Sequence, residues 1–367
     1  MSRLVEPKDP ALNANPTRRI ASPGRFFAVC LASSLAAMAL IGAFNVLVDP
    51  YGEFDTRLVP LDDSDRHSRA LKVSLLCRAA EPPEALILGN SRSMQLSPAT
   101  VRVLTGLRTF NASTAAGSAF DLLAFTRLAL ARSRRLRTLI VGLDTFMLHA
   151  AHPRAELLYF PLVRYLPEMR SPLLAHLARA GRTTAFSTAW LSAEQLYYLR
   201  EERPRNYAFD ADGKIRYLQY DEWVEEGRWF NPLPYALESV RSQYVGSFNV
   251  DPEPTEQASA ALELWLAEAD RANLDVYIFL PPLHSFLTAF LERESRYREH
   301  MDAYRRCMQR LGGRFRFKFY DLATVDRFGG NDRWFLDGTH MIGPNNDLVL
   351  KAILKDVSRS GSRVAVR

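Results

Sequence analysis

A chain of 367 residues is long enough for one large hydrophobic core or two smaller ones, and apolar and charged fractions of 47% and 24% exclude extensive disorder. The net charge of +6 at pH 7 comes largely from arginines scattered along the sequence, with no dense basic run interleaved with aromatic residues, so we expect no binding of nucleic acid. A basic face near an anionic membrane is the simpler explanation of this charge.

The N-terminal part of the chain contains an uncharged apolar stretch over residues 26–48. As a helix, this stretch would cross roughly 30 Å of hydrocarbon. A cleavable signal peptide is the alternative, but the apolar core exceeds the usual ~7–15 residues, and Asp49-Pro50-Tyr51 is a poor cleavage site. We predict a cytoplasmic tail over 1–25, an uncleaved transmembrane helix over 26–48 and a juxtamembrane segment over 49–83.

The charges that flank this stretch predict its orientation. Basic residues precede it (Arg3, Lys8, Arg18, Arg19, Arg25), and acidic residues follow it (Asp49, Glu53, Asp55, Asp62, Asp63, Asp65). Because positive charge stays in the cytoplasm, the N-terminus should be inside. In a bacterium, the chain would then cross the inner membrane once, with its main domain in the periplasm or outside the cell.

After a helix-like pattern at 66–80, short apolar runs alternate with amphipathic segments. The runs predict strands at 85–89, 107–111, 138–143, 275–280 and 315–322. The amphipathic segments predict helices at 98–104, 120–132, 255–272, 284–311 and 346–355. This alternation predicts an α/β fold, a three-layer α/β/α arrangement around a parallel sheet, with functional residues at the carboxyl ends of the strands. The domain would span 84–358, followed by a C-terminal tail over 359–367.

Residues 145–253 interrupt the alternation and are rich in tyrosine, tryptophan, arginine, glutamate and proline. We interpret them as a partly helical insertion packed over the catalytic edge of the sheet. Aromatic and arginine side chains suit contact with sugars or polyanions through stacking and paired hydrogen bonds. A lid that covers hydrophobic core is an equally good interpretation.

Ser91 is the candidate nucleophile, because it follows a predicted strand and a Gly-Asn turn. Such a turn bends the backbone sharply, exposes a hydroxyl and leaves free N–H groups at the start of a helix. Ser91 could instead merely cap the next helix, and Ser93 is a second candidate for either role.

Near the C-terminus, Asp337 precedes His340 by three residues, with Gly338 between them. In a loop, this spacing lets a carboxylate contact Nδ1 of the imidazole and leaves Nε2 free to face Ser91. A surface or core role remains the alternative for any one of the seven histidines. The oxyanion candidates are the backbone N–H groups of Ser91 and Gly117 and the side-chain amide of Asn111, which could equally serve in a turn.

Cofactor and metal sites have no signature in this sequence. The three cysteines, Cys30, Cys77 and Cys307, are too few for a disulfide scaffold, and they form neither a CxxC motif nor a cluster with histidine. Cys77 and Cys307 could pair in an oxidising compartment or remain free thiols. We therefore expect no cofactor and no bound metal.

Three sequence blocks together resemble the SGNH (GDSL-like) hydrolase superfamily. They are Gly89-Asn90-Ser91, a second block that contains Gly117, and Asp337-Gly-Thr-His340. With the N-terminal span, Val48-Asp49-Pro50-Tyr51-Gly52 and Gly-Asn-Ser-Arg, the chain is similar to its membrane-anchored envelope branch, the DltD-like and AlgJ/AlgX-like acetyltransferase-type proteins. The resemblance covers roughly 84–145 and 255–355. It implies a three-layer α/β/α (flavodoxin-like) fold, with Ser91 as nucleophile, His340 as base and Asp337 as its orienting acid.

Two positions depart from the family pattern. Asn90 stands where the usual motif has aspartate, and Asp144, in Gly142-Leu143-Asp144, stands where the third block has an asparagine that donates to the oxyanion. Arg92 and Asp144 are candidate substrate-binding residues.

These features lead to two functional hypotheses. The first is an anchored extracytoplasmic esterase or O-acyltransferase that acts on envelope or exported polysaccharide through Ser91. The second is a non-catalytic scaffold that binds an acyl carrier, a polysaccharide or a membrane-bound acyltransferase.

Overall fold

A computed structural model describes residues 23–51, 54, 56, 58–59, 68–149, 162, 164–166, 172–200, 207–226, 231–239 and 245–361. Most of the predicted N-terminal tail, the centre of the juxtamembrane segment, parts of the insertion and the last residues of the C-terminal tail lie outside the described residues.

The secondary structure follows the predicted alternation of strands and helices. In chain order the elements are α1 (Pro23–Val48), α2 (Ser68–Arg78), β1 (Ala85–Gly89), α3 (Pro98–Thr105), β2 (Thr109–Asn111), α4 (Ala119–Arg132), β3 (Thr138–Gly142), α5 (Pro172–Thr183), α6 (Phe186–Arg200), β4 (Tyr207–Phe209), β5 (Ile215–Tyr217), α7 (Leu218–Glu225), α8 (Leu233–Ser239), α9 (Glu256–Arg271), β6 (Asp275–Leu280), α10 (Ser285–Glu294), α11 (Tyr297–Gly312), β7 (Lys318–Asp321) and α12 (Pro344–Gly361). Short 3-10 turns follow β1 at Ser91–Ser93 and β3 at Thr145–Leu148.

Helix α1 confirms the prediction of an N-terminal helix of membrane-spanning length. Among the described helices it is the one long and apolar enough to cross a membrane, with a mean hydropathy of 2.2 over its most apolar segment. Its side chains are exposed along most of its length, and burial begins at Gly42, Asn45 and Val48 near its end.

The centre of the fold is a five-stranded parallel sheet in the order β2-β1-β3-β6-β7. The chain leaves β1 towards β2 on one side and then crosses back to β3 on the other side. The carboxyl ends of β1 and β3 therefore meet where the strand order reverses, which is where parallel α/β sheets bind their ligands.

Helices cover both faces of the sheet, as predicted. Alternate residues of β1 face opposite layers, with Leu86 and Leu88 packed in one hydrophobic cluster and Ile87 in another. The first cluster includes side chains from α2, α4, α9 and α11, and the second includes side chains from α3 and α12.

The predicted helix over 284–311 is wrong in one respect, because it is two helices. Ser295 ends α10 in an extended conformation with φ −148°, and its hydroxyl donates to the carbonyl of Leu291. A serine that bonds to the backbone in this way competes with helix continuation. Helix α11 then begins at Tyr297.

The described parts of the insertion divide between two locations. Helices α5 and α6 pack against the end of α1, whereas the antiparallel hairpin of β4 and β5 lies beside the edge of the sheet that holds the predicted site. There the N–H of Ile215 donates to the carbonyl of Met94, just after the 3-10 turn Ser91–Ser93, at 3.0 Å. All three cysteines are free, so Cys77 and Cys307 are not paired.

Candidate active site

The turn that carries Ser91 forms directly at the end of β1. Asn90 has an extended backbone conformation, and its side-chain oxygen accepts a hydrogen bond from the N–H of Arg92 at 3.1 Å. Ser91 is the first residue of the 3-10 turn, so its N–H has no partner within that turn. The predicted strand–turn arrangement is therefore present, and Asn90 is the residue that caps the turn.

Two glycines let the turn lie close to the sheet. Gly89 has φ +145°, and a Cβ there would lie 2.7 Å from both the carbonyl oxygen of Gly142 and the hydroxyl of Ser93. Ser93 is fully buried between these glycines, and its hydroxyl has no hydrogen-bond partner among the described residues. Ser93 is thus part of the packing beneath the turn, whereas Ser91 is only half-buried.

The loop that carries His340 is a tight reversal between two paired segments. Phe335 forms an antiparallel bridge with Met341, and the N–H of Leu336 donates to the carbonyl of His340 at 2.8 Å. Phe335 and Met341 are buried, which fixes both ends of the loop in the core. At its tip, a Cβ on Gly338 would lie 2.8 Å from a methyl group of Leu287, so glycine allows the loop to pack on α10.

The structure brings the three predicted triad residues together. Nε2 of His340 lies 2.8 Å from Oγ of Ser91, although 249 residues separate them in the sequence. Nδ1 of His340 lies 2.8 Å from Oδ2 of Asp337. This is the geometry in which a carboxylate orients an imidazole and the imidazole can remove a proton from a serine.

Asp337 receives further hydrogen bonds that keep it ionised. Its Oδ1 accepts from the backbone N–H groups of Thr339 at 2.7 Å and His340 at 2.8 Å, and from the Thr339 hydroxyl at 3.1 Å. Burial by itself would raise the pKa of Asp337. The adjacent His340 and these donors outweigh that effect and hold the pKa below its ordinary value. The carboxylate is therefore available to orient His340 throughout the neutral range.

The prediction that the Asn111 amide donates to an oxyanion is wrong. Asn111 is fully buried at the end of β2, and its Nδ2 donates to the carbonyls of Ser93, Met94 and Leu96 at 2.9–3.1 Å. Its Oδ1 accepts from the N–H of Ser113. The alternative turn role is the one observed, and in that role Asn111 supports the segment that follows Ser91.

Gly117 lies beside the site, but its N–H is engaged in a turn. A Cβ on Gly117 would clash with the carbonyl oxygen of Gly89, so only glycine permits this approach. Its N–H donates to the carbonyl of Thr114 at 3.1 Å. The N–H of Gly117 and the side-chain amide of Asn111 thus both donate within the protein, which leaves the N–H of Ser91 as the remaining oxyanion candidate.

Arg92 does not have the geometry of a substrate-binding residue, so that prediction is wrong. Its guanidinium is 7% exposed and donates from Nη2 to the carbonyls of Pro281 at 2.7 Å and Pro282 at 2.6 Å. Nη1 lies 3.4 Å from Asp144. Arg92 thus connects the Ser91–Ser93 turn to the segment that follows β6.

Asp144 is likewise structural, because it is completely buried. Its Oδ1 accepts from the N–H of Met147 and caps the second 3-10 turn, and its Oδ2 accepts from the side-chain amide of Asn90. The two positions that differ from the SGNH motif therefore contact each other.

Lys72 of α2 is completely buried, although it is a lysine. Its Nζ donates to the carbonyl oxygens of Asn111, at 2.7 Å, and of Gly213. Burial lowers the pKa of Lys72 well below its usual value, and the nearby Asp212 carboxylate opposes that shift. Lys72 thereby joins α2 to Asn111, which supports the Ser91–Ser93 turn, and to the β4–β5 hairpin.

Helix α2 also holds the loop that contains Gly117. The Ser68 hydroxyl accepts from the N–H of Ala115 at 3.1 Å, and Arg69 donates to the carbonyl of Ala116 at 3.3 Å. Arg69 forms a buried ion pair with Asp121 at 2.7 Å. Ala116 has φ +46°, a conformation that alanine rarely adopts, so these bonds offset local strain beside the site. A short amphipathic segment gives no local signal for such contacts.

Comparison with known proteins adds no family assignment. No family model matches the sequence, and no curated protein is detectably similar to it.

Proposed function

We propose that the protein is a membrane-anchored extracytoplasmic serine esterase or O-acyltransferase of the SGNH type, which transfers acetyl groups on cell-envelope or exported polysaccharide. The observation that carries this proposal is the chain of two 2.8 Å hydrogen bonds from Ser91 through His340 to Asp337. A half-buried serine at the start of a tight turn is open to a substrate, as a nucleophile must be.

In the proposed reaction, Nε2 of His340 takes the proton of Ser91 as Oγ attacks the carbonyl carbon of an ester. The carbon–oxygen bond to the leaving alcohol breaks, and that alcohol takes the proton from His340. The acyl group is then attached to Ser91 until water or a sugar hydroxyl attacks it, with His340 again accepting and returning the proton. Asp337 keeps the imidazole in the tautomer that presents Nε2 as an acceptor.

Residues beside the catalytic loop support a carbohydrate substrate. Trp334 lies three residues before Asp337, with the guanidinium of Arg333 stacked 4.9 Å from its ring centre. Tyr217 and Tyr220 of the insertion are buried in one cluster with Met94 and Ile342, so Trp334 and Arg333 are the members of this group that a sugar could contact. Aromatic rings and arginine are the side chains that suit the apolar faces and hydroxyl groups of sugars.

Contacts between α1 and the folded domain support a retained anchor. Asn45 is 1% exposed, and its Nδ2 donates to the carbonyls of Thr183 and Ala185, while its Oδ1 accepts from the Ser192 hydroxyl at 2.9 Å. Cleavage of α1 would leave these polar groups of the domain without their partner. Together with the charges on either side of the span, this supports a single crossing with the N-terminus in the cytoplasm.

The experiment compares Ser91→Ala with Ser93→Ala, the same chemical change two residues away. A fluorophosphonate probe should label the wild type and Ser93→Ala but not Ser91→Ala, since only an activated serine reacts. Turnover of an acetyl-ester reporter should fall on the order of 10⁶-fold in Ser91→Ala alone. Full turnover by a folded Ser91→Ala variant would refute the mechanism.

A non-catalytic scaffold is the second candidate, favoured by the observation that both side-chain amides near the turn are engaged. Asn111 donates to three backbone carbonyls and Asn90 donates to Asp144, so neither amide is directed to a developing oxyanion. For this candidate, the wild type would bind polysaccharide but would remain unlabelled by the probe.

A further inference from the structure

Helix α6 packs on the end of α1 through polar side chains. Thr188, Ser192 and Gln195 are buried, with exposed fractions of 4%, 0% and 4%. They follow a spacing of four and three residues, so they form one stripe along the helix. The Ser192 hydroxyl bonds to Asn45 of α1 at 2.9 Å, which places this stripe on the side that faces the membrane-length helix.

The opposite side of α6 is apolar and open. Phe186, Trp190 and Tyr197 are 75%, 68% and 50% exposed, and Ala193 lies between them, also exposed. At about 100° per residue, this aromatic stripe is centred roughly 180° from the polar one. This arrangement is the reverse of that in a helix of a water-soluble protein, because three polar side chains are inside and three aromatic side chains are outside. Aromatic surface held in water is unfavourable, whereas a lipid environment would favour the same arrangement.

The contacts with α1 fix the level of this aromatic stripe relative to a membrane. Exposed apolar side chains of α1 run from Phe26 to Leu47, and the connection between α5 and α6 touches α1 at Gly42 and Asn45. At about 1.5 Å per residue, this contact lies within the last two turns of the span. The start of α6 is therefore at the outer boundary of the hydrocarbon, the depth at which tryptophan and tyrosine are enriched.

Positive charge lies near the same level. Arg179 is stacked 4.3 Å from the ring centre of Phe54, and Arg182 lies 5.7 Å from that of Tyr51, just after the end of α1. Guanidinium groups at this depth complement lipid phosphates. Interfacial segments combine an apolar or aromatic face towards the acyl chains with basic groups at the headgroups. Here α6 provides the aromatic face, and the end of α5 provides the two arginines.

We propose that the outer face of α6, formed by Phe186, Trp190 and Tyr197, docks on the bilayer that α1 spans and rests in its outer headgroup region. This inference depends on the anchored topology of the proposed function but not on the chemistry of Ser91. The occupant is lipid, because Gly42 and Asn45 of α1 hold the start of α6 at the level where the span ends, and arginines lie close by. Docking at both α1 and α6 fixes the orientation of the domain instead of leaving it on a single tether.

The test uses the full-length chain in vesicles of phosphatidylcholine and phosphatidylglycerol, with or without bromine on the acyl chains. Bromolipid quenches tryptophan that contacts the bilayer, and Trp190 is one of five tryptophans. We expect bromolipid to reduce the total emission by about a tenth to a fifth. Trp190→Phe should abolish this loss, whereas the matched change Trp334→Phe, beside the catalytic loop, should leave it unaltered.

The same bromolipid quenching in Trp190→Phe and the wild type would overturn the docking. So would quenching that appears only when a membrane protein is added to the vesicles, because the face would then bind protein. The intact mass of the chain and fluorophosphonate labelling are read on the same vesicles. If the intact mass shows that α1 has been removed, both the anchor and the docking are refuted. If Trp190 is quenched but the probe does not label the chain, only the proposed chemistry is refuted.

Discussion

Asp337→Asn tests the role of the carboxylate with almost no change in volume. In the wild type, Oδ1 accepts from two backbone N–H groups and the Thr339 hydroxyl, and Oδ2 faces Nδ1 of His340. The three donors around Oδ1 require that the single oxygen of an asparagine occupy that position. The amide nitrogen would then face Nδ1 of His340 and donate to it.

That exchange forces the imidazole proton onto Nε2, the atom that lies 2.8 Å from Oγ of Ser91. A protonated Nε2 cannot accept the serine proton, so the variant should fold but hold the wrong tautomer. The corresponding exchange in a serine protease triad lowers kcat about 10⁴-fold, or about 5.5 kcal/mol in activation free energy. We expect a loss of the same order here.

The assay is the rate of fluorophosphonate labelling and the kcat for an acetyl-ester reporter, with thermal unfolding as the check on folding. Asp332→Asn is the control, because Asp332 accepts a hydrogen bond from the N–H of Ser285 at 2.9 Å and does not contact His340. Its kcat should remain within a few-fold of wild type. A folded Asp337→Asn variant that keeps more than a tenth of the wild-type rate would refute the assignment of Asp337 as the orienting acid.

Three further predictions concern stability. Asn90→Asp places a second carboxylate against the buried Asp144, so we expect a loss of about 3–5 kcal/mol in the free energy of unfolding, partly restored by adding Asp144→Asn; an unchanged urea midpoint would contradict this. Lys72→Met leaves buried carbonyls of Asn111 and Gly213 without a donor, so the free energy of unfolding, measured by urea denaturation, should fall by about 1–3 kcal/mol. The control Lys351→Met, at an exposed position, should change it by less than about 0.5 kcal/mol. The pKa of Asp337 is lower in the folded chain than in the unfolded chain. The carboxylate therefore contributes fully to folding stability above the unfolded pKa of about 3.9, and this contribution is lost as pH falls through the folded pKa. Thermal unfolding of Asp337→Asn between pH 5 and pH 3 should therefore show a shallower fall in Tm than wild type, and equal slopes would argue against this.

Local patterns predicted the sheet and the three residues that meet above it. The bounds of β1 and β6 match the predicted strands, because both consist almost entirely of apolar residues and end in polar or proline-containing turns. The Asp337–His340 loop was predictable because the carboxylate and imidazole lie within four residues of each other. Placing Ser91 opposite them followed from one general property, that parallel strands bring their carboxyl ends to one edge.

The environment of the turn could not be predicted in the same way. The role of Asn111 depends on carbonyls 15–18 residues away, and the burial of Arg92 depends on carbonyls near residue 281. A polar residue that looks available in a sequence is available only if the fold has not already given it partners. The contacts of Lys72 with Asn111 and Gly213 are a further instance, since Gly213 lies 141 residues away within the insertion.

The contact between Asn90 and Asp144 explains how the two positions that differ from the SGNH motif fit together. An amide at 90 donates to a carboxylate at 144, so one donor and one acceptor remain paired below the turn. Arg92 also approaches this carboxylate and balances its charge. A change at either position alone removes the match, and this is why the two are expected to vary together.

Helix α2 has a practical consequence for anyone who shortens the chain. A truncated fragment that starts at the first strand would lack Ser68, Arg69 and Lys72, and with them the bonds that shape the segment from Asn111 to Ala116. It would also lack Ala70, Val73 and Leu76, whose apolar side chains pack in the hydrophobic core on one face of the sheet. An expression fragment without the membrane helix should therefore begin at or before Ser68, even though the first strand lies 17 residues further along.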